Sequence, residues 1–169
     1  MSQHLAVFAA DEQSAEPVDT FRWVRLAEAV LGAQGVRGDA ELSMLFVDEA
    51  AMAELNLRFR GLEGPTDVLA FPLDEDDVLE SGRSPDAGGP GPGAADEPEP
   101  PLLVGDVVVC PAVARRSAPE HDLSYEDEMA LLVVHGILHL LGMDHEDERE
   151  AVVMARREQE LLDRFHRRP

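Results

Sequence analysis

Three histidines lie close together in the C-terminal part of the chain, at a spacing that suits one metal ion. The stretch reads His135-Gly-Ile-Leu-His139-Leu-Leu-Gly-Met-Asp-His145. Residues four apart on an α-helix share one face, so His135 and His139 are expected to be neighbours. Gly142 can end that helix in a left-handed turn, and the returning chain would bring His145 to the same point. Three imidazoles with a fourth position left open are the ligand set of a catalytic zinc site.

The same spacing occurs in a protease signature, but one position differs. The metzincin pattern is His-Glu-x-x-His-x-x-Gly-x-x-His, in which the glutamate is the general base. The corresponding residue in this chain is Gly136, which cannot accept a proton. The sequence therefore keeps the ligand spacing without the peptidase base, and this argues against ordinary zincin proteolysis.

The alternative for these histidines is that they are hydrogen-bonded core residues unrelated to a metal. An unsatisfied buried imidazole costs about 1–3 kcal/mol, and one metal ion would satisfy all three imidazoles together. We therefore favour metal binding, with zinc as the best fit, although nickel, cobalt and iron also accept imidazole. Structural zinc is normally closed by four protein ligands, so an open position favours catalysis.

Other polar residues near the motif have two interpretations. Asp144 and Glu146 flank the third histidine. Either residue could orient a ligand or accept a proton, but we prefer the simpler interpretation that they cap the last helix. The remaining histidines lie in polar or terminal contexts and are predicted to be surface residues: His4, His121 and His166.

The composition is that of a single globular domain. The chain has 169 residues, of which 44% are hydrophobic, enough for one domain with a substantial core. The N-terminus has no cationic start followed by a long apolar run, so no secretory signal is predicted. No apolar stretch reaches the ~18 residues of a membrane span. Cys110 is the only cysteine, so no internal disulfide can form, and the cytoplasm is the expected location.

The charge is strongly acidic and is partly concentrated in one segment. The net charge is −21, and all 14 basic residues are arginine. Residues 74–101 contain nine acidic residues and one arginine, and without them the net charge would be −13. This segment is rich in proline and glycine, so we predict a disordered insertion in a domain spanning residues 1–169. An acidic tether for a basic partner is the alternative. The overall charge argues against a nucleic-acid partner, and any RNA contact would have to be local.

The hydrophobic pattern predicts an uneven mixture of strands and helices. An apolar stripe over Met52, Leu55 and Phe59 predicts a helix that Asp48 caps. Ser124 is the expected N-cap of the helix that carries the histidines. These elements favour an α+β fold with a small mixed sheet and a metal site at the end of a central helix. Strands are predicted at residues 5–8, 41–47, 68–71 and 102–110, and the other helices at residues 20–31, 111–118 and 146–165.

The histidine block resembles the signature of the YbeY family, a group of bacterial metal-dependent endoribonucleases linked to ribosomal RNA maturation. Three further blocks resemble that family in the same order: residues 55–61, 65–72 and 105–111. Together the similarity covers most of residues 40–73 and 102–160. Departures are modest: Phe59 and Met143 stand where the family often has tyrosine, and Ala70 where it often has serine. The acidic insertion is the largest departure.

The resemblance implies a zinc site at His135, His139 and His145, with Arg60 as a functional basic residue in the same cleft. It also implies cleavage of single-stranded RNA, in maturation of the 3′ end of small-subunit ribosomal RNA and in ribosome quality control. A guanidinium is suited to the charge that builds up on phosphodiester oxygens during cleavage. Without the resemblance, Arg60 would be interpreted as a surface residue that stabilises its helix C-terminus.

Two other functions remain as alternatives. The first is a ribosome-assembly factor with a mainly structural metal and little nuclease activity, for which basic ribosomal proteins would suit the acidic charge. The second is a metallohydrolase of peptides or small molecules, which Gly136 disfavours. The sequence leaves open the exact RNA target, the oligomeric state, and whether water or the RNA 2′-hydroxyl is the nucleophile.

Overall fold

The computed structural model describes residues 5–36, 38–72, 102–143 and 147–167. The predicted insertion at residues 74–101 lies outside these ranges, so its disorder stays a prediction. In chain order, the elements of the described residues are β1 Leu5–Asp11, α1 Thr20–Ala33, β2 Ala40–Phe46, α2 Glu49–Arg60, β3 Val68–Pro72, β4 Leu102–Val109, α3 Pro111–Ser117, a 3₁₀ turn Ala118–His121, α4 Tyr125–Leu140 and α5 Glu148–Phe165.

The four strands form one mixed sheet in the order β1-β2-β4-β3. The β1–β2 and β2–β4 pairs are parallel, and β3 pairs antiparallel with β4 at the edge. The register between β2 and β4 shifts at Glu41 and Leu42, opposite Gly105. Gly105 has φ +138°, a backbone conformation that L side chains rarely adopt. The α+β class and the small mixed sheet are therefore confirmed.

Hydrophobic residues cover both faces of the sheet because side chains alternate along each strand. On one face, Leu42, Met44 and Phe46 of β2 pack into the main core with α1, α4 and α5. On the other face, a smaller cluster joins the strands to α2, whose Met52 is fully buried. The edge strand β3 therefore lies between two helical layers, with α4 on one side and α2 on the other.

Polar residues set the helix starts largely as the sequence indicates. The side chains of Asp48 and Ser124 accept hydrogen bonds from Ala51 N and Asp127 N, which confirms both predicted N-caps. The last helix begins later than predicted, at Glu148, and its N-cap is Asp147, whose carboxylate accepts from Glu150 N. Asp144 and Glu146, which the sequence suggested as caps, lie outside the described ranges.

One prediction about exposure is wrong. His166 was expected at the surface, but its side chain is only 5% exposed. It lies beside Trp23, accepts a hydrogen bond from Arg22 at Nδ1 and donates one to Asp127 from Nε2. Phe59 belongs by spacing to the apolar stripe that predicted α2, and it is 56% exposed. His121 is half exposed as predicted, and His4 is outside the described residues.

Within the described ranges, every helix is too short or too polar to span a bilayer.

Candidate active site

Helix α4 carries two of the three predicted metal ligands. Ser124 caps it, and acidic residues occupy its first turn, where the helix dipole favours negative charge. Most of its remaining side chains are buried hydrophobics. His135 and His139 lie one turn apart on the same face of the helix. Their ring centroids are 5.5 Å apart and their ring planes form an angle of 75°. The two imidazoles are therefore close together, as their spacing in the sequence predicted.

Two glycines let α4 lie close to the sheet. A Cβ added at Gly136 would meet the two methyl groups of Val107 at 2.8 and 3.3 Å. A Cβ added at Gly105 would meet the carbonyl oxygen of Phe71 at 2.4 Å and Leu140 Cδ2 at 2.9 Å. Position 136 thus faces the sheet, and the larger glutamate of the protease motif has no room there without movement of the helix.

A carboxylate from another helix fixes the orientation of His135. Glu158 of α5 is 9% exposed, and its Oε1 lies 2.7 Å from His135 Nδ1. A carboxylate has only acceptor oxygens, so His135 must donate its Nδ1 hydrogen to Glu158. In the neutral ring, the lone pair is then on Nε2, the nitrogen available for a metal. Carboxylate–imidazole contacts of this kind orient metal-ligating histidines in many proteins.

The donor set of the described residues suits a metal such as zinc. Adjacent imidazole nitrogens are typical zinc ligands, and the hydrogen bond from His135 to Glu158 supplies the tautomer that a ligand needs. His145 lies outside the described residues. Within the described ranges, no group of three or more histidine, cysteine or carboxylate side chains is arranged to hold a metal, so the three-histidine site stays a prediction.

Arg60 is the last residue of α2 and borders the same cleft. Gly61 ends the helix in the left-handed conformation, with φ +68°. Asn56 Nδ2 donates to the carbonyl of Gly64 at 2.9 Å and so ties the following loop to α2. Asp67 Oδ1 accepts from Val68 N at 2.8 Å where the loop enters β3. These contacts hold the end of α2 against the edge of the sheet.

The cleft lies along β3, between α4 and the end of α2, and has a volume of about 610 Å³. It therefore brings Arg60 together with His135 and His139. Its lining residues are Phe59, Arg60, Thr66, Asp67, Val68, Leu69, Ala70, Phe71, His135, Gly136 and His139.

Sequence reasoning missed two residues of this site, Glu158 and Phe59. A signal for Glu158 exists, because it shares the buried stripe of the amphipathic helix α5 with Met154 and Leu161. A glutamate in an apolar stripe needs a buried partner. The exposure of Phe59 has no comparable signal, because its spacing from Met52 and Leu55 suits an ordinary core stripe.

The fold and this cleft define a class of protein: an α+β protein with two helix-borne imidazoles and an arginine in one cleft beside an edge strand. Residues 8–166 match the family described as Endoribonuclease YbeY. The chain therefore belongs to the YbeY family, and the expected class of enzyme, a hydrolase of the endoribonuclease type, is confirmed.

Individual relatives agree with that membership. A protein from Salinispora tropica named Endoribonuclease YbeY is 47% identical over 156 residues, which is 90% of this chain and 93% of the relative. One of the same name from Frankia alni is 44% identical over 158 residues, 94% of this chain and 81% of the relative. The solution structure of TM1509 from Thermotoga maritima matches with a TM-score of 0.54 at 26% identity, covering 95% of this chain and 91% of that one.

Proposed function

We propose that this protein is a metal-dependent endoribonuclease that cuts single-stranded RNA, in 3′-end maturation of small-subunit ribosomal RNA and in ribosome quality control. The observation that carries the proposal is the shared cleft of Arg60, His135 and His139. Family membership supports RNA as the substrate. The ribosome and its proteins are the proposed partners, and the cytoplasm is the proposed location.

In this proposal His135, His139 and His145 hold one divalent ion, with zinc favoured by the imidazole donors and nickel as another candidate. When bound, the ion would supply Lewis acidity and lower the pKa of water. Glu158 keeps His135 in the Nδ1–H tautomer and fixes its ring. Arg60 binds the non-bridging phosphate oxygens, where negative charge grows during cleavage, through the planar fork of its guanidinium.

The proposed roles of Arg60 and His139 differ, so their variants should fail differently. We expect His139→Ala to lose bound metal and RNA cleavage together. Arg60→Ala should keep its metal and lose about 10²–10³-fold in kcat/KM, comparable with loss of one transition-state charge contact. Metal content and cleavage of a single-stranded RNA are measured on the same preparations. Arg156→Ala, which removes an exposed arginine on α5, is the matched control and should cleave like wild type.

Two results would contradict the proposal. Equal cleavage by wild type and both site variants would identify a contaminating nuclease. Loss of metal in Arg60→Ala would contradict its assignment as a phosphate contact.

A ribosome-assembly factor with a mainly structural metal is the second candidate. The net charge of −21 favours it, because such a charge repels RNA at long range and attracts basic ribosomal proteins. In that case wild type would not cleave RNA, and His139→Ala would lose folding together with metal. Hydrolysis of peptides is disfavoured because residue 136 packs against Val107 and cannot hold a general base.

A further inference from the structure

Phe59 is a large hydrophobic side chain that the fold leaves in solvent at the mouth of the cleft. It is 56% exposed, although it lies only one residue before Arg60 and lines the same cleft. Its ring meets that of Phe71 edge-on, with centroids 5.0 Å apart and planes at 62°. Phe71 belongs to the edge strand β3 and is partly buried. It therefore supports the exposed ring of Phe59 on the side that faces the sheet.

Two arginines, Arg58 and Arg60, lie next to Phe59 in a chain of net charge −21, and Asp67 is the one acidic residue in the lining of the cleft among the described residues. The guanidinium of Arg58 lies 5.5 Å from the centroid of Phe59, and Arg60 follows directly in the sequence. A ligand that combines a flat aromatic group with phosphate fits such a surface, because the ring stacks while the guanidinium binds charge. Single-stranded RNA has this combination, and its unstacked bases commonly stack on exposed aromatic side chains.

We propose that Phe59, supported by Phe71, is the base-stacking subsite of the cleft and binds a nucleobase next to the phosphate held by Arg60. The inference rests on the proposed function and deepens it. It also addresses the charge of −21, because stacking does not depend on net charge and so supplies affinity where long-range attraction is unfavourable.

The chain offers a matched control for this subsite. Phe21 is also an exposed phenylalanine, at 70% exposure, and also has an arginine beside it, with the guanidinium of Arg25 5.8 Å from its ring centroid. Phe21 is on α1 and lies outside the lining of the cleft. A general affinity of RNA for exposed aromatic residues would act at both positions, whereas a subsite acts at Phe59 alone.

The first experiment places a tryptophan at each position. The only native tryptophan, Trp23, is 3% exposed and gives a constant background. The probes are two 2′-O-methyl oligonucleotides of equal length, one with bases and one abasic, and gel electrophoresis after each titration checks that they are intact. We expect Phe59→Trp fluorescence to be quenched by the base-bearing probe and not by the abasic one, and Phe21→Trp to respond to neither. Equal quenching at both positions, or none at position 59, would overturn the proposal.

The second experiment measures affinity by fluorescence anisotropy with the same probes. Phe59→Leu should bind the base-bearing probe about tenfold more weakly than wild type. It should bind the abasic probe as wild type does, and Phe59→Tyr should bind both as wild type does. An unchanged affinity of Phe59→Leu for the base-bearing probe, while wild type cleaves RNA, would overturn this inference alone. If wild type bound neither probe and cleaved no RNA, both the stacking inference and the proposed function would be overturned.

Discussion

The two ends of helix α4 both hold histidine–carboxylate contacts, but in opposite arrangements. At the N-terminal end the carboxylates are on the helix: Glu128, 1% exposed, lies 3.0 Å from Nδ1 of His121, and Asp127 lies 2.8 Å from Nε2 of His166. Toward the C-terminal end the imidazole of His135 is on the helix, and the carboxylate comes from α5. The carboxylates of Asp127 and Glu128 lie in the first turn of α4, where the helix dipole favours negative charge.

The two ends also differ in what holds them against the rest of the molecule. Polar contacts with preceding and following segments fix the N-terminal end. The C-terminal half has the contact of His135 with Glu158 and, in addition, lies close to the sheet at two glycines, where Val107 is next to Gly136 and Leu140 is next to Gly105. The two ends also differ in position, because among the described histidines His135 and His139 border the cleft of about 610 Å³, whereas His121 and His166 do not.

Gly105→Ala is expected to have the largest effect on stability, because it disturbs the packing between the sheet and the C-terminal end of α4. The new Cβ would meet the backbone oxygen of Phe71 at 2.4 Å, and residue 105 has φ +138°. Strain costs about 1–3 kcal/mol and overpacking a similar amount, so we expect a loss of about 3 kcal/mol in the free energy of unfolding, measured with urea. Amide hydrogen exchange should rise more at His139 than at Met129, since the clash is at the C-terminal end.

Gly35→Ala is the control for Gly105→Ala. Gly35 also has a positive φ, +83°, but no atom lies within 4 Å of an added Cβ. It should therefore show the strain alone, about 1 kcal/mol. Equal losses in the two variants would mean that the contacts with Phe71 and Leu140 are not the reason for a glycine at position 105.

Removal of Glu158 should weaken metal binding without unfolding the protein. Loss of a carboxylate that orients a ligand typically costs 10–100-fold in affinity, about 1.4–2.7 kcal/mol. We expect Glu158→Ala to lose that much zinc affinity in calorimetric titrations, and Glu158→Gln to lose less because its amide oxygen still accepts from His135. Glu160→Gln, an exposed neighbour on α5, should bind zinc like wild type. The same zinc affinity in Glu158→Ala and wild type would show that Glu158 has no role in positioning His135.

The elements of the fold could be predicted where the signal is local. The caps at Asp48 and Ser124 depend on short-range hydrogen bonds, and both predictions are confirmed. Strand β1 is longer than predicted, because its pairing with β2 continues to Asp11, opposite Phe46. A polar residue at a strand end gives no local sign of such a pairing, which depends on a partner strand distant in sequence.

In the candidate site, too, the features with a local sequence signal could be predicted, and those that depend on distant packing could not. The spacing of His135 and His139 is local to one helix and predicts their proximity. The contact of Glu158 with His135 joins residues 23 positions apart, so it depends on how α5 packs against α4. The burial of His166 was missed for the same reason, because a residue near a chain end is normally exposed unless a distant partner such as Asp127 binds it.

His121→Gln should have the smallest effect and should reveal the polar end of α4 through its pH dependence. The hydrogen bond and charge of Glu128 raise the pKa of His121 above its ordinary value of 6.5, and Glu120 and Asp67 add to the shift. A raised folded pKa stabilises the protein fully below pH ~6.5, and this contribution is lost as the pH rises through the folded pKa.

The difference in unfolding free energy between wild type and His121→Gln should therefore be greatest below pH ~6.5 and shrink above it. Asp127→Asn is the control with the opposite sign, because His166 lowers the pKa of Asp127 and its contribution is lost as the pH falls. Urea unfolding of all three proteins between pH 3 and pH 9 measures both trends. A deficit in His121→Gln that is constant over this range would mean that packing, and not charge, holds His121 against Glu128, and the contrast between the polar and packed ends of α4 would then be lost.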